Sequence, residues 1–143
     1  MGPGVVGRRA QLGMAMFLIA EAVFFLLLVL AFVYFRAMPR SLGPFAWLFT
    51  AVIALSSLTM WRASVASSVW VCTTVALGIA FVIGQATVYR GTFFTLVAIH
   101  GLHVLAGSIA LAFVPASALR AMAIYWYFFT AVWLAIFITA SQI

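Results

Sequence analysis

The sequence predicts an all-α polytopic membrane protein, a bundle of five transmembrane helices. Three observations carry that prediction. Hydrophobic residues make up 69% of the 143-residue chain and charged residues only 6%, where soluble domains carry about 25% charged residues. The apolar residues fall into five runs, each near the ~20 residues a helix needs to cross the hydrocarbon core. The links between runs are a few residues long, which makes consecutive helices antiparallel neighbours. An open sheet is excluded, because unpaired strand edges cannot lie in lipid.

Each run has readable ends. The first, Leu12 to Phe35, is closed by Arg36, Pro39 and Arg40. The second starts at Pro44, a residue suited to a first helical turn, and ends near Trp61 and Arg62. The third runs from about Ser67 to Tyr89 and is closed by Arg90 and Gly91. The fourth runs from about Thr92 to Phe113, with Pro115 just beyond, and the fifth from about Leu119 to Ala140. The chain therefore reads as a single transmembrane domain with helices at 12–35, 44–61, 67–89, 92–113 and 119–140. Short links leave no room for an extramembrane domain, so a soluble substrate or redox partner is expected to be handled by another chain. The leading MGPGVVGRR is too short and Gly-rich for a complete signal peptide.

All seven basic residues are Arg, and there is no Lys. They sit singly or in pairs between the apolar runs, as interface anchors and topology signals do; nucleic acid is not an expected partner. Arg8, Arg9, Arg62 and Arg120 lie on the N-terminal side, and Arg36, Arg40 and Arg90 on the other. That excess leans toward a cytoplasmic N-terminus. Trp47, Trp61, Trp70, Tyr34, Tyr89 and Tyr125 lie near segment ends, where aromatic belts are expected. Arg36, Arg90 and Trp61 are the candidates for contact with lipid or the interface. The single cysteine, Cys72, can form no internal disulfide and reads as a small apolar residue. Small residues allow close helix approach. Ala76, Ala80 and Gly84 on the third helix, and Gly101, Ala106, Gly107 and Ala110 on the fourth, read as ordinary bundle packing.

The polar residues inside the runs are few: Glu21, Gln85, His100, His103 and scattered Ser and Thr. Glu21 is the only acidic residue in the chain. A charge at mid-membrane costs about 2.5 to 3.5 kcal/mol on insertion scales, so a lone acid kept there points to use. It reads as a group that exchanges protons or holds a polar contact at a subunit surface, the alternative being a protonated structural carboxyl hydrogen-bonded to a neighbouring helix. His100 and His103, three apart, share a helix face. They lie at about the depth of Glu21, which allows a direct contact. One carboxylate and two imidazoles fall short of the about four ligands of a closed metal site. Neither a metal site nor a catalytic group is expected in this chain.

Several stretches together resemble subunit III of the haem–copper (cytochrome c) oxidase family. Leu12 to Phe25, LGMAMFLIAEAVFF, is similar to that family's Glu-bearing helix. Leu55 to Met60, LSSLTM, resembles its Ser-Ser-Leu-Thr element. Thr92-Phe93-Phe94 followed by His100-Gly101-Leu102-His103-Val104 matches its Phe-Phe and His-Gly-Leu-His-Val at the same spacing. Tyr125-Trp126-Tyr127-Phe128, with Val132-Trp133-Leu134, resembles its last helix. The matches fall in order on four of the five helices. Three positions depart from the family pattern: Tyr127 stands for a His, Thr130 for an Asp, and Val88 for the Glu of a Gln-x-x-Glu-Tyr element. The family often has seven helices, and this chain matches the last five.

The resemblance implies a non-catalytic subunit of an aa3-type oxidase, packed on subunit I and supporting proton uptake and stability during electron transfer to O2. Haem and copper would then reside in subunits I and II, with no cofactor in this chain beyond bound phospholipid. Further expected partners are membrane lipids and a larger respiratory supercomplex. The expected location is a bacterial inner membrane. Glu21 carries over as the proton-relay candidate, with His100 and His103 as the polar face beside it. An accessory subunit of a nitric oxide reductase stands as the alternative. A small proton-coupled transporter is more remote, since neither repeats nor broken helices are evident.

Overall fold

Runs of Leu, Ala, Phe and Val without internal Pro leave the backbone one way to satisfy its polar groups in lipid, the α-helix. A computed structural model describes residues 3–35, 42–65 and 68–142, and its regular elements are all helical. They are α1 (Pro3–Tyr34), α2 (Phe45–Val65), α3 (Ser68–Val88), α4 (Gly91–Phe113) and α5 (Leu119–Gln142), with a 3-10 turn at Ala116–Ala118 before α5. All five helices are long and apolar enough to cross a membrane.

α1 begins ahead of its apolar run, at Pro3 rather than near Leu12. Proline fits a first helical position, and the extra turns have something to rest on. Gly7, Ala10 and Gln11 face Ser117, Arg120 and Ala121 across a cleft where α1 meets the 3-10 turn and α5. Two glycines make the tight links. Gly43, before α2, and Gly91, opening α4, have φ of 71° and 70°, a left-handed backbone that glycine adopts without strain. Gly91 thereby lets α4 start with only Tyr89 and Arg90 between it and α3.

α2, α3, α4 and α5 form a ring in which each touches the next and α5 closes back on α2. α1 lies outside the ring and touches α5 and α4. Its inward stripe is Met14, Leu18, Glu21, Phe25 and Leu28, the three- and four-residue spacing of one helix face. The centre is aromatic. Phe81, Trp133, Phe129 and His100 are fully or almost fully buried, and Phe81 meets the Trp133 ring edge-on at 5.3 Å.

The close approaches coincide with the small-residue stripes at Gly84 and Gly107 but not at their alanines. Ala76 and Ala80 face outward, as do Ala106 and Ala110. The inward face of α3 is Thr74, Gly78, Phe81 and Gln85. Gly78 lies against the Trp126 ring, Gly107 against Tyr125 and Gly84 against Phe49. Large rings of neighbouring helices occupy the space that a Cβ would need.

Hydroxyls tie α5 to α2. The indole N–H of Trp126 donates to Ser56 Oγ (3.0 Å) and that of Trp133 to Thr50 Oγ1 (3.1 Å). Thr130 donates to the carbonyl of Trp126, so the 2.7 Å contact with Ser57 has the Ser57 hydroxyl as donor. Thr59 and Thr74 join α2 to α3 at 2.8 Å.

Candidate functional site

α1 and α4 bring Glu21 and His103 together. Glu21 Oε2 lies 3.2 Å from His103 Nε2, with side chains 19% and 24% exposed. The separation is that of an ion pair, although the angle is off that of an aligned hydrogen bond, so Oε2 has no hydrogen-bond partner. His103 Nδ1 lies 2.7 Å from the carbonyl of Ile99 one turn back. A carbonyl only accepts, so Nδ1 carries a proton.

That assignment fixes the chemistry of the contact. With Nδ1 protonated, Nε2 and Oε2 share one further proton when the pair is neutral overall. It resides either on the carboxyl, facing a bare Nε2, or on Nε2, facing a carboxylate. Moving it between the two leaves the net charge unchanged. Adding or removing a proton leaves a net charge in a medium that penalises it.

The rings around His103 hold it in place. Phe129 stacks on it at 4.8 Å and 22°, and Phe25 meets it edge-on at 5.2 Å. The Tyr125 hydroxyl donates to the backbone carbonyl of His103 at 2.7 Å. Tyr125 is therefore not a belt residue: it is buried, and its hydroxyl finds a partner in α4 rather than at the membrane surface.

His100 takes a different direction. It is wholly buried, and its Nε2 donates to the Phe129 carbonyl of α5 at 2.7 Å. Its Nδ1 has no partner. The shared face of the two histidines thus straddles a boundary, with His103 reaching α1 and His100 reaching α5.

Arg36 lies outside the described residues. Arg90 is exposed at the start of α4. Trp61 is exposed, with the Arg62 guanidinium 5.6 Å from its ring centre. Tyr127 is partly exposed, and Thr130 belongs to the α2–α5 hydroxyl seam. Among the described residues, no three His, Cys, Asp or Glu side chains come together.

Two features have surroundings that the sequence did not specify. The support of His103 by Tyr125 carried no signal in the sequence. Gln85 carried one, as a rare amide in an apolar run, without a partner to match it. It is 2% exposed with both amide atoms unpaired, and it lines a groove between α3 and α4.

With this geometry in view, comparison with known proteins gives a direction. The chain is similar to a cytochrome c oxidase subunit 3. That relative, "Cytochrome c oxidase subunit 3" of Corynebacterium diphtheriae, is 30% identical over an alignment of 131 residues, which takes in 67% of this chain and 64% of the relative. The chain thus spans less than two thirds of the length of the relative it matches. No family model matches it.

Proposed function

We propose that this chain is the non-catalytic subunit III of a respiratory haem–copper terminal oxidase of the cytochrome c oxidase class. In this reading it packs beside subunit I in a bacterial inner membrane with its N-terminus in the cytoplasm. Haem and copper reside in subunits I and II, and phospholipid lines this chain near Arg90 and Trp61. The observation that carries the reading is the Glu21–His103 contact, made by two of the stretches that resemble the subunit III family. The similarity to a named subunit 3 supports it independently.

The pair supplies a chemical role within that reading. Because the one-proton state is neutral, a proton arriving at Glu21 is accommodated only as another leaves. The pair therefore acts as an exchanger beside the main uptake path rather than as a store of charge. Glu21 keeps part of its side chain open to the outer face of the bundle. In the intact oxidase, Glu21→Gln should slow proton uptake several-fold while haem content and residual O2 reduction persist. Loss of haem incorporation in that variant would sink the auxiliary role.

A further inference from the structure

Among the described residues, five buried side-chain polar atoms find no hydrogen-bond partner in the protein. One is Glu21 Oε2, which faces His103. The other four belong to three side chains: Gln85 (Nε2 and Oε1), Tyr89 (the hydroxyl) and His100 (Nδ1). Each of the three residues is no more than 6% exposed. Inside a membrane an unpaired polar group is costly, and orphaned atoms in a native interior call for a partner.

The three side chains meet in one place. Phe81, Gln85 and Tyr89 follow one another at four-residue steps along the inner face of α3 and the turn that ends it. The Trp133 ring of α5 adjoins Phe81 at 5.3 Å, Tyr89 at 6.2 Å and His100 at 5.6 Å. Gln85 thus stands between two residues that pack on the same indole as His100. Its amide oxygen points toward Gly101, the neighbour of His100.

There is room beside it. At Gly78, Gly84 and Gly107 a ring already occupies the Cβ position. At Gly101, itself buried, a Cβ would meet nothing nearer than Gln85 Oε1 at 3.8 Å and Val82 at 3.9 Å. A methyl-sized space is therefore open next to the amide oxygen, and a buried water needs little more. The donors and acceptors also balance. His100 Nε2 donates to the Phe129 carbonyl, so in the neutral imidazole Nδ1 is an acceptor. Gln85 brings N–H donors and a carbonyl acceptor, and the Tyr89 hydroxyl can do either. A water that accepts from the Gln85 amide or the Tyr89 hydroxyl can donate to Gln85 Oε1 and His100 Nδ1. That is the set of about three bonds usual for a buried water.

We propose that Gln85, Tyr89 and His100 hold bound water beside Gly101. The water fixes the tautomer of His100 and joins its Nδ1 to Tyr89 at the α3–α4 link. This polar line is separate from the Glu21–His103 pair, and it does not depend on the oxidase reading.

The chain has only two histidines, so isotope-labelled histidine gives two imidazoles, and His103→Phe assigns them. Magic-angle-spinning NMR of the full chain in hydrated bilayers reads magnetisation transfer from water protons to each ring nitrogen. His100 Nδ1 should show the shift of a hydrogen-bonded acceptor and receive transfer from water. Gly101→Ala fills the open space with a methyl, and Gln85→Leu removes the amide. Either should abolish the transfer and return Nδ1 to the shift of a bare nitrogen. Transfer from the Gln85 amide protons with none from water would mean a direct bond and overturn the proposal. A bare Nδ1 in the unaltered chain, or one that receives transfer from acyl protons only, overturns it too. So does water transfer that survives Gly101→Ala. That variant leaves every polar group in place, so it decides the question if Gln85→Leu fails to insert.

Discussion

His103→Phe tests the site at one atom. Phenylalanine keeps a ring between Phe25 and Phe129, at 5.2 and 4.8 Å from the imidazole it replaces, so packing is largely retained. The nitrogen facing Glu21 Oε2 is lost, and a buried carboxyl atom is left without a neighbour to share its proton. Glu21→Leu removes the carboxyl from the other side, and the double variant removes both. The cycle should give a coupling of about 0.6 to 1.7 kcal/mol, from the average to the largest value found for polar contacts between membrane helices. Unfolding in mixed detergent micelles measures it. Glu21 is the only side-chain acid in the sequence, so the infrared carbonyl band of glutamate-labelled protein reports on it directly. That band should shift in His103→Phe. Additivity within about 0.3 kcal/mol, with an unmoved band, would refute the shared proton.

Other outcomes follow from the packing. Gly107→Ala drives a methyl to within 2.6 Å of Tyr125, and should cost about 1 to 3 kcal/mol and loosen the bond to His103. Gly13→Ala meets nothing within 4 Å and should be neutral or gain about 0.5 to 1 kcal/mol; the same micelle assay separates the two. Thr130→Val strips the acceptor from Ser57 and should lower stability by about 1 kcal/mol, while Ser57→Ala in the same chain should add little more. At the α3–α4 link, burial pushes the Tyr89 phenol up to about 12. Because the folded state holds this proton more tightly than the unfolded one, stability should be level below pH 10 and fall from pH 10 toward 12. Tyr89→Phe, whose lost hydroxyl has no partner, should remove that part of the alkaline decline.

The five helices were legible because a membrane leaves little choice: length and apolarity alone define a span. The contact of Glu21 was legible as well, since a lone acid must find a polar neighbour and counting residues puts His103 at its depth. The divergence of His100 was not. Two side chains one turn apart share a face, but only the position of α5 decides that one of them meets the Phe129 carbonyl. The inward face of α3 was equally hidden. A helix apolar on every side has no polar stripe to mark the outside, so Ala76 and Ala80 read as a seam with Gly84, while Gly78 makes the contact with Trp126. The hydroxyl seam was silent for a related reason. Ser108 and Thr139 bond within their own helices, whereas Ser57 crosses to α5, and the residue types are the same. The first turns of α1 escaped notice because Gly4 and Gly7 argue against a helix when the 3-10 turn they approach is out of view.

Subunit III of a haem–copper oxidase is the function proposed for this chain. Its most direct test is to capture the chain from its native membrane in mild detergent and record the reduced-minus-oxidised visible spectrum of what comes with it. Haem a bands together with cyanide-sensitive oxygen consumption are the predicted result. Haem b alone with nitric oxide turnover would move the chain to a nitric oxide reductase, and a colourless, solitary protein would contradict the account.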